Sequence, residues 1–294
     1  MVKTNTSHSK QTHFTNSTFE LVKWPINFSS SLDDKVLALQ TSRLSPQISQ
    51  KSSSSPLLME QISSTFGGFN LGLHVGDDAK RVTYNRRVLN YFISQQLFDK
   101  ALKPNTKLID EVHIQWLEQV HGTEVVTVIN VDEQAMVADA SITRQKNIAL
   151  AIMTADCLPI LLSHKAGSEI AAIHGGWRPL VGNIVAKTIA KMQSNPSDIV
   201  AWLGPCIGKD AFEVGEEVKQ AFTQVNEGFN NAFVLQDNGK YLADLHQIAR
   251  LQLTSLGVTD IASLAKCTYQ ETDTYYSYRK QQITGRMASV ICRR

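Results

Sequence analysis

Three residues in separate segments of the chain could together hold a metal ion: His121, Cys157 and His174. Each stands where an apolar run ends in a turn, so we expect a strand to deliver each side chain. Two imidazoles and one thiolate suit Zn²⁺, with Cu²⁺ as the alternative. Three protein ligands leave a fourth coordination position for water or substrate, as in catalytic zinc sites. The trio therefore predicts a catalytic metal site.

Each of the three residues also has a structural interpretation when it is taken alone. His121 precedes Gly122 and could be a hydrogen-bonded turn residue. Cys157 could be a buried, inert thiol, since a free cysteine packs as a small hydrophobic residue. His174 opens a His-Gly-Gly-Trp-Arg stretch that could be a simple strand-to-helix turn. The metal site therefore requires that the fold bring the three residues together.

Two carboxylates are candidate catalytic residues. Asp156 directly precedes Cys157 at a predicted strand end, where it could orient an imidazole or carry a proton. Asp139, within an Ala-Asp-Ala stretch, is either a turn residue or a carboxylate that orients a metal ligand. The sequence does not decide which of the two moves a proton.

Five further polar residues are candidates for binding an anionic or polyhydroxylated substrate. They are Arg43, Asn70, His74, Arg178 and Arg279. A guanidinium group is a bidentate fork that suits phosphate, although a solvated surface position is the alternative for any single arginine. Asn70 and His74 lie in a glycine-rich segment, where polar groups also stabilise turns.

Composition excludes several classes of protein. The net charge is +2, from 29 basic and 27 acidic residues, and no basic cluster is interleaved with aromatics, which argues against a nucleic-acid surface. No apolar run approaches the ~20 residues that span a bilayer, and the N-terminal residues lack the apolar core of a secretory signal. The four cysteines are widely spread, as in a reducing compartment. We therefore predict a cytoplasmic protein without a membrane or nucleic-acid partner.

Familiar catalytic motifs are also missing from the sequence. It contains no Walker A loop, no dinucleotide-binding glycine pattern and no Gly-x-Ser-x-Gly elbow. The His-x-Glu and Pro-Cys-x-x-Cys pattern of nucleobase deaminases is absent as well. Any deamination would therefore need a different metal arrangement.

The elements that must position these residues are mostly strands. Apolar runs rich in Val, Ile and Ala predict strands at residues 19–21, 36–39, 112–117, 124–129, 148–154, 160–162, 169–173, 199–203 and 287–291. Amphipathic patterns predict helices after Asp77 and Asp78 and at residues 179–192, 215–225 and 243–256. Because strands and helices do not alternate strictly, the pattern favours a single α+β domain.

Two polar segments interrupt this pattern. Residues 1–18 are rich in Ser, Thr, Asn and His, which predicts a disordered N-terminal tail before a catalytic domain at 19–294. Residues 44–65 are rich in Ser and Gln and contain two prolines, which predicts a surface insertion within that domain.

Eight stretches of the chain match motifs of one known family, in that family's order. They are Asn-Leu-Gly-Leu-His-Val-Gly-Asp-Asp at 70–78, Trp-Leu-Glu-Gln-Val-His-Gly at 116–122, Thr-Ala-Asp-Cys-Leu-Pro at 154–159, His-Gly-Gly-Trp-Arg at 174–178, Leu-Gly-Pro-Cys-Ile-Gly at 203–208 with Phe-Glu-Val-Gly at 212–215, and Tyr-Ser-Tyr-Arg at 276–279 with Thr-Gly-Arg-Met at 284–287. Through these motifs the chain resembles the YfiH family from about residue 36 to the C-terminus. Members of the family are known as laccase-domain or multicopper polyphenol oxidase proteins, purine nucleoside phosphorylases and peptidoglycan editing factors.

The resemblance implies a fold of mixed β-sheets flanked by helices, and it places the family's metal ligands on His121, Cys157 and His174. Two departures from the family pattern are visible. Arg43 leads into the Ser-rich insertion, where the family has a short Gly-Gly-Val-Ser loop. Gly175 replaces the usual Ala of His-Ala-Gly-Trp-Arg.

The resemblance also implies phosphorolysis of purine nucleosides (adenosine, inosine, guanosine and methylthioadenosine) and deamination of adenosine at one metal-dependent site. Nucleoside and phosphate would be the small-molecule partners. A metal-bound water could attack C6 of adenine, and phosphate held by arginines could attack the ribose C1′. The sequence leaves the oligomeric state open between monomer and dimer.

The sequence leaves two alternative functions open. The first is a copper-dependent, laccase-like polyphenol oxidase. A full multicopper site expects about ten histidine ligands, whereas this chain has eight histidines and no His-x-His string, so only a single copper fits. The second is a hydrolase that edits a peptidoglycan precursor with Cys157 as its nucleophile.

Overall fold

The computed structural model describes residues 18–25, 27–46, 60, 63–98 and 112–294. The predicted tail, apart from its last residue, and most of the predicted Ser-rich insertion lie outside the described residues. None of the helices within the described ranges is both long and apolar enough to span a bilayer.

Strands and helices are numbered in chain order over these residues. The strands are β1 (Phe19–Leu21), β2 (Val36–Thr41), β3 (His113–Gln115), β4 (Leu117–Glu118), β5 (Val125–Thr127), β6 (Met136–Val137), β7 (Ala140–Thr143), β8 (Ile148–Thr154), β9 (Leu158–His164), β10 (Ile170–Gly175), β11 (Ile199–Leu203), β12 (Glu213–Val214), β13 (Phe233–Leu235), β14 (Tyr241–Ala243), β15 (Asp260–Ser263) and β16 (Met287–Arg293). The helices are α1 (Ser29–Leu32), α2 (Ala79–Phe98), α3 (Trp177–Val181), α4 (Ile184–Lys191), α5 (Glu216–Val225) and α6 (Leu245–Ser255), with 3₁₀ turns at Pro196–Asp198 and Glu227–Ala232.

Two mixed β-sheets form the centre of the fold. The first has the order β1-β2-β16-β8-β3, with β3 parallel to β8 and the other neighbours antiparallel. The second has the order β15-β11-β9-β10-β7-β5, with parallel pairs at its two edges and antiparallel pairs between them. Strands β8 and β11 are buried along their whole length. Their nearly continuous apolar sequences fit strands that are covered on both faces.

The two sheets face each other across a shared apolar core. Leu150 and Ile152 of β8 lie in the same cluster as Leu161 of β9, Ala172 of β10 and Trp202 of β11. Alternate residues along each strand point to this core, because the side-chain period of a strand is two. The remaining alternate residues point outward and need a second cover.

Helices supply that cover on both outer faces. Helix α2 packs on the first sheet, where Leu89 and Ile93 share a cluster with Leu39 and Val290. Helices α4, α5 and α6 cover the second sheet, and their buried side chains include Ile189, Phe222 and Leu253. The layers therefore run helix, sheet, sheet, helices, and the prediction of a single α+β domain with mixed β-sheets flanked by helices is confirmed.

Two predicted elements are wrong in detail. The helix predicted at 179–192 is two helices, because the chain breaks between α3 and α4 at Gly182 and Asn183. Asn183 adopts φ 61°, a left-handed conformation that asparagine tolerates better than most residues. The strand predicted at 112–117 is divided at Trp116, because β3 pairs with β8 while β4 pairs with β6 in a separate two-stranded sheet.

Candidate metal centre and cavity

A cavity of about 720 Å³ lies beside the C-terminal ends of β8 and β10. Its wall is built by the end of β8 and the turn that follows it, the segment after β4, the start of α3, and the loop that precedes β16. These segments are distant in sequence but are fixed by strands that pair within the two sheets. The volume lies within the usual range of small-molecule sites, roughly 300–1,000 Å³.

The three predicted metal ligands meet at this cavity. The ligand atoms of His121, Cys157 and His174 all lie within 4.8 Å of one another, and Cys157 Sγ is 3.8 Å from His121 Nε2. A tetrahedral zinc ion needs such atoms about 3.3–3.6 Å apart, given its bond lengths to nitrogen and sulfur. The donor set and its spacing therefore fit one metal ion, and all three residues line the cavity.

Backbone geometry delivers each ligand. His121 has φ 57°, and Cys157 lies in the turn between β8 and β9. His174 lies near the end of β10, which delivers its side chain, and the chain enters α3 after Gly176. A Cβ atom on Gly176 would lie 3.2 Å from both Cys157 Sγ and His121 Cδ2, so only a glycine leaves these ligands undisturbed.

Asp139 binds two of the three candidate ligands, His174 and His121, through hydrogen bonds. Its Oδ1 accepts hydrogen bonds from His174 Nδ1 at 2.7 Å and from the His121 N–H at 3.0 Å, and its Oδ2 accepts from the Gly122 N–H at 2.6 Å. The carboxylate is fully buried. Burial raises the pKa of Asp139, but the hydrogen bond and charge of His174 outweigh burial and hold that pKa below its usual value. This contact leaves Nε2 of His174 available for a metal.

Cys157 and His174 shift each other's protonation. Burial raises the pKa of the Cys157 thiol, but the charge of His174 and hydrogen bonds from both imidazoles lower it overall, from 9.0 to about 6. Burial lowers the pKa of His174, but the Cys157 thiolate and Asp139 raise it overall, from 6.5 to about 9. The thiolate that a metal requires is therefore favoured at neutral pH.

Asp156, the second candidate catalytic carboxylate, borders the cavity and is nearly buried. Its Oδ1 accepts a hydrogen bond from Thr268 Oγ1 and its Oδ2 accepts one from the Arg279 N–H, each at 2.6 Å. Both oxygens therefore already have protein donors.

Three arginines line the cavity. Arg178 lies with its guanidinium carbon 4.4 Å from the centre of the Trp177 ring. Arg279 donates from Nη1 to the Glu213 carbonyl at 2.9 Å, and Arg286 is half-buried in the loop before β16. Arg178 and Arg279 are exposed enough to meet a ligand that enters from solvent.

Arg43 does not reach the cavity, which argues against its predicted role in phosphate binding. Its side chain is buried, and the guanidinium donates to the carbonyls of Thr272 at 2.6 Å and Ser64 at 2.5 Å. The guanidinium carbon also lies 5.1 Å from the centre of the Tyr276 ring. These contacts join the segment after β2 to the C-terminal loop, which is a structural role.

Asn70 and His74, predicted together, separate in the structure. Asn70 is buried outside the cavity wall, and its Oδ1 accepts from the N–H groups of Gly72 at 2.9 Å and Arg286 at 2.8 Å. It therefore acts as a turn residue that holds the loop of Arg286. His74 does line the cavity, where partial burial and the nearby arginines Arg286 and Arg86 lower its pKa.

The cavity also contains residues that were not predicted as site residues. Gln119 donates to the Met153 carbonyl and accepts from the Met153 N–H, both at 2.8 Å, so it ties the segment of His121 to β8. Tyr278 and Phe212 add aromatic rings to the wall. Both rings, like Arg286, stand inside the sequence motifs of the family, which is the signal that could have identified them.

Comparison with known proteins places the chain in a family. A family model described as multi-copper polyphenol oxidoreductase laccase matches residues 60–294. The chain is 42% identical to the purine nucleoside phosphorylase YfiH of Escherichia coli K12 over 226 residues, which is 77% of this chain and 86% of that protein. It is 40% identical to a purine nucleoside phosphorylase of Haemophilus influenzae over 225 residues, or 76% and 86% of the two chains.

Solved structures of related proteins share the fold. The Neisseria meningitidis protein NMB0706 superposes with a TM-score of 0.76 at 35% identity, covering 94% of this chain and 99% of that one. YlmD from Geobacillus stearothermophilus superposes with a TM-score of 0.69 at 26% identity, covering 88% and 92%. The chain therefore belongs to the YfiH, or laccase-domain, family.

Proposed function

We propose that this chain is a metal-dependent purine nucleoside phosphorylase with a single ion on His121, Cys157 and His174. The observation that carries the proposal is the convergence of these three ligands on a cavity that also presents guanidinium groups and aromatic rings. The names of its relatives from Escherichia coli and Haemophilus influenzae support the reaction class. We propose Zn²⁺ as the ion, because a thiolate with two imidazoles and an open position suits catalytic zinc.

Residues of the cavity wall would bind the two substrates. Trp177, Phe212 and Tyr278 offer ring surfaces against which a purine can stack. Arg178 and Arg279 would hold phosphate, since each presents a fork of N–H donors. A bound metal would supply a Lewis acid that polarises a coordinated oxygen.

Phosphorolysis exchanges one bond at the ribose for another. A phosphate oxygen forms a bond to C1′, the bond from C1′ to N9 of the purine breaks, and the departing base takes up a proton. Holding phosphate and nucleoside together supplies much of the rate enhancement, because two substrates then react as one. Asp139 would act by orienting the His174 imidazole and by fixing the backbone of His121 rather than by meeting the substrate.

Adenosine deamination is a second activity that the same cavity could support. The observation that favours it is a set of only three protein ligands beside the cavity, because a metal held there would supply a water of lowered pKa for addition to C6 of adenine. Ammonia then leaves and inosine is formed. This activity would not depend on phosphate.

Cys157 could instead be a nucleophile, as in an editing hydrolase. The distance of 3.8 Å to His121 Nε2 and the pKa of about 6 are what such a cysteine–histidine pair would show. A laccase-like oxidase with a single copper is the other alternative. Metal content separates these possibilities, because a thiolate bound to zinc is not a free nucleophile.

The test incubates zinc-loaded protein with adenosine, with and without inorganic phosphate, and identifies the products by chromatography. We expect adenine and ribose 1-phosphate only with phosphate, and inosine under both conditions. Cys157→Ala should lose stoichiometric zinc and both products. Cys292→Ala is the matched control, because Cys292 does not line the cavity. It lies in β16 roughly 16 Å along the strand from Met287, the residue at the cavity end of that strand.

Two outcomes would contradict the proposal. One is wild-type protein that yields neither adenine nor inosine. The other is Cys157→Ala that retains the wild-type rate. A metal-free protein alkylated at Cys157 would favour the hydrolase.

A further inference from the structure

Asp156 lies in the cavity wall and binds three segments that are far apart in sequence. Its carboxylate accepts hydrogen bonds from Thr268, 112 residues away, and from the backbone of Arg279, 123 residues away. Its carbonyl accepts a third hydrogen bond, from the Ile207 N–H at 2.9 Å. Ile207 and Arg279 line the cavity with Asp156, whereas Thr268 is fully buried behind it.

The backbone of Asp156 is held in a conformation that suits this task. Its φ is 95°, outside the regions that most L-residues adopt. Such a conformation persists only where surrounding contacts impose it. In this turn the carboxylate reaches the backbone of Arg279 and the hydroxyl of Thr268.

The loop that Asp156 holds carries Arg279 and Tyr278, which both face the cavity. The hydrogen bond from the Arg279 N–H fixes the backbone from which that guanidinium projects. The guanidinium itself is steadied by the Glu213 carbonyl and by the Phe212 ring, whose centre lies 5.4 Å away. Loss of the Asp156 carboxylate would free the backbone of Arg279, while the contacts of its guanidinium would remain.

We propose that Asp156 is a positioning residue that holds Arg279 in place to bind the phosphate co-substrate, and that it is not the proton carrier. The inference rests on the proposed phosphorolysis. Because both carboxylate oxygens already accept hydrogen bonds from the protein, the group acts through Arg279 rather than on the departing base.

Substitutions at Asp156 distinguish positioning from proton transfer. In Asp156→Asn the amide oxygen can accept from the Arg279 N–H, and the amide NH₂ can donate to Thr268 Oγ1, whose hydroxyl then reverses its role. Asparagine also tolerates a positive φ. We expect kcat and the KM for phosphate within about threefold of wild type. Asp156→Ala removes both acceptors, and there we expect the KM for phosphate to rise at least about tenfold, with a smaller change in the KM for adenosine.

Thr268→Val and Thr268→Ser form a matched pair away from the metal ligands. Valine keeps the shape but loses the donor, so we expect an intermediate rise in the KM for phosphate. Serine keeps the donor and should behave as wild type. Zinc content is measured for every variant, because a substitution at Asp156 could act by disturbing the neighbouring Cys157. If an Asp156 variant loses zinc, the comparison of Thr268→Val with Thr268→Ser decides whether the hydrogen bonds of Asp156 position Arg279.

Amide hydrogen exchange over residues 277–286 of the zinc-loaded protein supplies a readout that does not depend on activity. Exchange of the Arg279 N–H should accelerate in Asp156→Ala and stay slow in Asp156→Asn. If the two variants show this pattern but wild-type protein shows no phosphorolysis, the proposed function fails, while the hold of Asp156 on the Arg279 backbone stands. If Asp156→Asn loses kcat by 100-fold or more with an unchanged KM for phosphate, Asp156 carries the proton and the inference is overturned.

Discussion

The side of the cavity with the three proposed metal ligands (the metal side) is held by backbone geometry and by the buried carboxylate of Asp139. On the side with Arg178 and Arg279 (the arginine side), long side chains project into the cavity from the backbone. His174 projects from a fully buried stretch of β10, Cys157 from the turn that joins β8 to β9, and His121 from a left-handed turn. Asp139 then connects two of these ligands through short hydrogen bonds. Little freedom is left on this side.

The arginines have more freedom. Both side chains are exposed, and an aromatic ring lies beside each guanidinium. Asp156 holds only the backbone of Arg279, and its guanidinium makes one hydrogen bond, to the Glu213 carbonyl. The metal side is therefore organised before a ligand arrives, while the arginine side can adjust to one. Changes on the metal side should act on all activities at once, and changes on the arginine side should act mainly on phosphate affinity.

The largest effect is expected for His174→Ala. Removing a buried ligand should abolish stoichiometric zinc binding and lower the rate with adenosine by at least about 100-fold. His121→Ala, which removes an exposed ligand, should give the same loss without a packing defect. His164→Ala is the control, since His164 ends β9 outside the cavity wall. Zinc is measured by atomic emission, and zinc retained by both ligand variants would contradict the metal centre.

Asp139→Asn should weaken metal binding without removing a ligand. One carboxylate oxygen becomes an NH₂ group that faces N–H donors, either those of His174 and His121 or that of Gly122. Loss of such an orienting carboxylate typically lowers metal affinity 10- to 100-fold. Competition with a chromogenic chelator measures the change. An affinity equal to wild type would show that β10 alone orients His174.

Sequence patterns predicted most of the fold because its central strands are buried on both faces. The predicted strands at 148–154 and 199–203 coincide with β8 and β11. The break between α3 and α4 was missed, because an amphipathic pattern continues across it and the left-handed Asn183 leaves no periodic signal. The division of the strand at 112–117 depends on which partners its two parts find, and partners are not encoded locally.

The sequence predicted the place of a site residue best where the backbone alone fixes its side chain. The metal trio could be proposed because short side chains at strand ends and turns follow their backbone. The position of the Arg43 guanidinium could not be predicted, because it depends on the carbonyls that this long side chain meets. One of them, that of Thr272, is 229 residues away in sequence. The dual contact of Asp139 with two ligands is likewise a product of tertiary packing alone.

The pH dependence of metal affinity should reveal the shifted pKa values of Cys157 and His174. With a pKa raised to about 9, His174 keeps its proton in the metal-free protein until the pH passes that value, so a metal must displace it. With a pKa lowered to about 6, Cys157 is already a thiolate above that pH. Zinc affinity should therefore rise about tenfold per pH unit between 6 and 9 and more steeply below 6. Chelator competition across this range tests the slope, and a flat profile between 6 and 9 would contradict the pairing.

The smallest effect on activity is expected for Arg43→Lys, and it separates the buried arginine from those of the cavity. Lysine cannot make both hydrogen bonds to the carbonyls of Thr272 and Ser64, so we expect a loss of about 1–3 kcal/mol in the free energy of unfolding by urea. The KM for phosphate should stay within about twofold, because no substrate reaches this side chain. Arg178→Lys is the matched substitution on the cavity wall, where the KM for phosphate should rise while the unfolding free energy changes by less than about 0.5 kcal/mol. A raised KM for phosphate in Arg43→Lys, with an unchanged free energy of unfolding, would contradict this prediction. It would place phosphate beside Arg43, because a guanidinium that binds substrate affects KM more than folding.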